Sequence, residues 1–139
     1  MGVHRLISLY LALVAVAVAM QFVAFPIYAY DSDGETLAAA LDVWHVLDWF
    51  MAAGLALMAV STCREKRRHR GDGPADVRQW LRSNLMFFGT VVLALAFVPN
   101  WFEAAWGHNQ NWTIWHLVDT VLPVMFLAEA HRLWRASSV

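Results

Sequence analysis

The chain has a single cysteine, Cys63, in 139 residues. No disulfide can close within it, and paired-thiol redox chemistry is excluded. Charge is scarce as well: Asp, Glu, Lys and Arg make up 15% of the residues, against about 25% in an ordinary soluble domain. A glycine-rich phosphate loop is missing, as are a Ser/His/Asp nucleophile set and a basic–aromatic surface for nucleic acid. Nucleic acid is therefore not an expected partner.

What the chain has in excess is apolar sequence. Hydrophobic residues reach 60% and the mean hydropathy is +0.46, both beyond the range of a soluble domain. Four apolar runs, at 6–28, 43–62, 81–98 and 112–130, each approach the roughly 20 residues that a helix needs to cross the hydrocarbon. The first run has a basic start at Arg5, as a signal peptide would. It is longer than the roughly 7–15 residues of an h-region, so it reads as a retained helix. The fold class expected is an all-α membrane protein, a four-transmembrane-helix bundle.

The 10 Lys and Arg residues fall at Arg5, between Arg64 and Arg82, and at Arg132 and Arg135. With four spans these positions share one side. The positive-inside rule makes that side cytoplasmic, with both termini inside, in the inner (plasma) membrane of a cell. The opposite side holds Asp31, Asp33, Glu35, Asp42, Asp48, Glu103 and Asp119, with no Lys or Arg. Topology accounts for the missing bases but not for the acids, which would concentrate cations there.

The halves of the chain resemble one another. Arg5, Val18 and Pro26 match Arg78, Val91 and Pro99 at one offset; Trp44, His45, Asp48 and Arg64 match Trp115, His116, Asp119 and Arg135 at an offset two residues shorter. The expected organisation is a parallel internal repeat of two tandem helical hairpins, 1–63 and 77–139, joined by a basic connector at 64–76. Pro26 and Pro99 are expected to close the outer ends of spans one and three. Asp31 to Asp33 offer a cap for span two, and Asn109, Asn111 or Thr113 one for span four. Pro123 falls inside span four.

The repeated motif Trp-His-x-x-Asp carries the candidate site: His45 with Asp48, and His116 with Asp119. Spacing i, i+3 sets each Asp on the face of its His, about 4.5 Å deeper. Ionisable residues at such depth are costly. Three chemistries fit. His45, Asp48, His116 and Asp119 form a donor set for copper, zinc, iron or manganese. His45 and His116 are possible axial ligands of a b-type haem, with the aspartates holding the imidazoles. The same groups can relay protons or cations. Against these stands interhelical glue, in which His45–Asp119 and His116–Asp48 pairs satisfy each other without any ligand.

The remaining polar and sulfur residues are read as structural. His108, beside Glu103 and Asn109, fits a solvated loop. The methionines fit packing, and Gln21 and Asn84 fit interhelical glue. The functional expectation is a small membrane subunit of a larger, redox-type complex carrying a cation or haem site near its outer face. The alternatives are a cofactor-free assembly subunit and a proton- or cation-conducting protein. Expected partners are membrane lipids and other membrane subunits.

Overall fold

The computed structural model describes residues 2–68, 77–107 and 109–137. Four helices make up the fold: α1 (Val3–Tyr28), α2 (Ala38–Arg68), α3 (Val77–Trp106) and α4 (Trp112–Ala136). Each is long and apolar enough to cross a membrane. A helix satisfies its backbone polar groups internally, which the hydrocarbon demands. The chain thus has the build of a small multi-pass membrane protein, a four-helix bundle with apolar side chains such as Leu13, Val23, Leu85 and Leu95 on its outer surface. His108 and the 69–76 stretch of the connector lie outside the described residues; 64–68 continues α2.

Three local expectations need correction. Pro99 does not close α3, which runs on to Trp106. A proline removes the bond to the carbonyl four residues back and crowds that carbonyl, which can bend a helix without ending it. Past it, Trp101 stacks on Phe97 and on Phe102, each at 5.6 Å, and meets Trp106 at 6.0 Å. Asp31 does not cap α2 either. Its carboxylate accepts the N–H groups of Asp33 and Glu35, both at 2.9 Å, closing a tight loop in which Gly34 takes φ +81°. Aspartate serves a turn as readily as a helix start. Gln21 donates to the Tyr28 hydroxyl and Asn84 to the Trp80 carbonyl, so each amide bonds within its own helix rather than between helices. Asn111 does cap α4, accepting from Thr113 and Ile114 N–H at 3.0 and 3.2 Å.

Around the bundle the helices run α1, α2, α3, α4. The most extensive packing is α1 on α4, then α2 on α3; the pairs within each half are lighter, and α2 meets α4 only narrowly across the diagonal. The halves interlock rather than stand apart. Small residues explain the α1–α4 approach: Ser8, Ala15 and Ala130 are buried there, and the Ser8 hydroxyl donates to the Ala130 carbonyl at 2.6 Å. Between membrane helices, close van der Waals contact and such bonds hold the structure, since lipid tails remove the hydrophobic drive.

Each helix buries one stripe at three- and four-residue spacing. On α2 it is Asp48, Met51, Leu55, Met58 and Thr62; on α4 it runs through Trp115, Val118, Asp119, Leu122, Phe126 and Ala130. The mid-section is tightly packed. Gly54 lies against Phe126, where a Cβ would come within 2.5 Å of the ring. We expect Gly54→Ala to destabilise the detergent-solubilised protein by about 1–3 kcal/mol through overpacking, and by less in a Phe126→Leu background. Equal losses in both backgrounds, read by chemical unfolding, would contradict this contact.

Candidate functional site

Acidic residues are buried at both ends of the α2–α4 diagonal, and the two ends differ. At the basic end Glu129 is fully buried. Arg132, one turn on, grips it twice, Nε to Oε2 at 2.8 Å and an Nη to Oε1 at 2.6 Å. Ser61 of α2 donates to Glu129 at 2.5 Å and accepts from Arg132 at 2.7 Å, and Glu65 pairs with Arg132 at 3.0 Å. The bidentate geometry and added hydrogen bonds offset the desolvation of the charges. Sequence reasoning passed over this network. Its signal was legible: an acid inside span four, with an arginine at i+3.

At the other end, Asp48 and Asp119 are 3% and 6% exposed. Both line a partly open cavity of about 390 Å³. His45 and His116 line it too, so all four residues of the repeated motifs share one wall system, as do both motif tryptophans, Trp44 and Trp115. Phe22, Phe25, Tyr30 and Trp112 complete an aromatic surround. Rings brace rings: Phe25 meets Tyr30 at 6.2 Å and Trp44 at 6.0 Å, and Phe97 meets Trp115 at 5.8 Å. Buried Asn100 of α3 fixes the approach to α4 by donating to the Asn111 carbonyl at 3.1 Å and accepting its N–H at 2.7 Å.

The histidines stand differently from the aspartates. Both are exposed. His116 Nδ1 sits 2.7 Å from the Trp112 carbonyl, which sets Nδ1 as the protonated nitrogen and Nε2 as the acceptor. Phe22 meets its ring edge-on at 5.9 Å. His45 Nδ1 faces Asp42 at 3.8 Å. Among the described residues, then, neither imidazole is held by the aspartate of its own motif, and no hydrogen bond joins a motif His to a motif Asp of the other half.

Asp119 has a further peculiarity. Among the described residues, its buried Oδ1 has no hydrogen-bond partner, where buried carboxylate oxygens are nearly always paired. Pro123 stands four residues on, inside α4, and has no N–H to give the Asp119 carbonyl. No lysine or arginine is among the cavity's described lining residues. Nor, among the described residues, does any group of three or more His, Cys, Asp or Glu side chains come together as a metal site would.

No family model, curated protein or solved structure matches the chain.

The contrast between the two ends yields a paired expectation. Arg132→Met leaves Glu129 buried without its cation and should cost about 3–5 kcal/mol. Asp119→Leu removes an under-satisfied acceptor and extends its added apolar bulk into the cavity, and should leave the ligand-free protein equally stable or more so. Unfolding in detergent measures both. A large loss for Asp119→Leu would mean that Asp119 is interhelical glue.

Proposed function

We propose that this chain is an integral membrane protein that captures a cation in the cavity between Asp48 and Asp119, near the outer face. The observation that carries this reading is the buried, unpartnered Asp119 carboxylate oxygen on a cavity with Asp48 and without a lysine or arginine among its described lining. A positive ligand would supply what Arg132 supplies to Glu129 at the opposite end. The acids of the same side would draw cations towards the entrance.

The orientation belongs to the proposal. Every described Lys and Arg lies at the opposite end, which supports cytoplasmic termini, an inner-membrane location and an outward-facing cavity. So does the internal repeat: Trp44 with Trp115, His45 with His116 and Asp48 with Asp119 meet as matched pairs on one cavity. Exposed Trp49, Phe102 and Trp106 at this end support contact with a further membrane subunit.

A second reading, a redox subunit with a metal or b-type haem on His45 and His116, draws support from the His116 tautomer, which leaves Nε2 as a ligand atom.

Thermal unfolding of the purified protein with a cation panel, comprising zinc, manganese, copper and a quaternary ammonium, tests the main reading. At about 100 times its Kd a bound cation should add about 2.7 kcal/mol. The Asp48→Asn/Asp119→Asn double variant should lose that gain. If no member of the panel shifts the wild type, the cation reading is wrong. A Soret band lost on His45→Ala would favour the haem reading instead.

A further inference from the structure

The character of the cavity narrows the class of cation, given the reading just proposed. A bare metal ion suits it poorly. Transition metals take about four protein or solvent ligands and calcium about six to eight oxygens. Here the buried acids are two, Asp48 and Asp119, and among the described residues no three potential ligands cluster. The volume, about 390 Å³, lies in the range of roughly 300–1,000 Å³ typical of sites for small organic molecules.

The walls point the same way. Trp44, Trp112 and Trp115 line the cavity with Phe22, Phe25 and Tyr30. An aromatic face attracts a cation held within about 6 Å of its centre. That attraction favours weakly hydrated ammonium groups, whose alkyl shell also gains from apolar walls, over strongly hydrated metal ions. Two polar atoms of the lining are already engaged. Gln110 accepts from the Trp115 indole N–H at 2.9 Å, and His116 Nδ1 is committed to Trp112. Carboxylates and rings then dominate the surface that faces a ligand, with His116 Nε2 beside them as an acceptor.

We infer that the cavity takes an organic cation, a small alkyl- or arylammonium whose charge rests between Asp48 and Asp119 and whose apolar body lies on Trp44, Trp112 and Trp115. Neither residue class suffices alone. The carboxylates select the charge, and the rings select the organic body. The repeated motif supplies both at once, since each copy brings one tryptophan and one aspartate to the same cavity.

Tryptophan fluorescence of the full chain in detergent reports occupancy directly, because three indoles line the site. Three probes separate the possibilities: benzyltrimethylammonium, its uncharged carbon isostere neopentylbenzene, and zinc. Benzyltrimethylammonium should bind saturably to the wild type, at least tenfold tighter than neopentylbenzene. Asp119→Asn and Trp44→Leu should each weaken it at least tenfold, and Asp48→Asn serves where Asp119→Asn does not fold. Zinc binding that depends on Asp48 and Asp119, with no response to the ammonium, would overturn the organic-cation inference and leave the cation reading standing. Equal binding of the neutral isostere, or no binding of either cation, would overturn both.

Discussion

A carboxyl group buried between membrane helices is costly unless it is paired, hydrogen-bonded or protonated; α4 pairs one and, among the described residues, leaves an oxygen of another without a partner. Glu129 and Asp119 lie on the same helix, ten residues or roughly 15 Å apart. Glu129 has Arg132 and Ser61 in hydrogen-bond contact. Asp119 has an oxygen with no partner, and shares its cavity with a second acid, Asp48. A buried charge left unpaired is among the costlier features a fold can keep, and structures keep such features chiefly at sites of use.

The architecture turns this asymmetry into a cleft. α1 clasps α4 through small residues, and α2 lies along α3, so the ring is closed on its sides. The α2–α4 diagonal is where the ring can open. At the basic end the Arg132 network draws the two helices together through Ser61 and Glu65. In the middle, Phe126 fills the notch over Gly54. Beyond that plug the helices hold aromatic side chains and carboxylates rather than a continuous core, and a cavity remains. The same diagonal is thus bridged by ion pairs at one end, filled by a ring at the centre, and lined by carboxylates and aromatic rings at the other.

Much of this was legible in the residues. Four spans followed from apolar runs of membrane length, because hydrocarbon leaves the backbone few other solutions. The Trp-His-x-x-Asp repeat singled out the residues that now share a cavity. Where sequence reasoning failed, competing local chemistry decided. Asp31 looked like a helix cap and became a loop clamp, since a carboxylate binds any pair of nearby N–H groups. Pro99 looked like a helix end, yet the stacked rings of Phe97, Trp101 and Phe102 carry α3 past it. The His–Asp partnership within each motif looked natural at i, i+3, but the imidazoles turn to Asp42 and the Trp112 carbonyl. Spacing along one helix places side chains on a face; it does not decide which neighbour each one chooses. The Arg132–Glu129 pair was legible at i, i+3, but the parts of Ser61 and Glu65 needed the α2–α4 crossing, which no single-helix pattern contains.

The lone cysteine allows a direct test of an acidic cavity on the side away from the arginines. In a Cys63→Ser background, Asp48→Cys places one thiol on the cavity wall and leaves Asp119 in position. Intact cells are then treated from outside with methanethiosulfonates that differ only in the charge of their head group. The account predicts labelling from outside, with the trimethylammonium reagent reacting at least tenfold faster than the sulfonate, and with that preference shrinking once Asp119→Asn is added. Equal rates for both charges, or labelling that requires access from the arginine-bearing side, would contradict it.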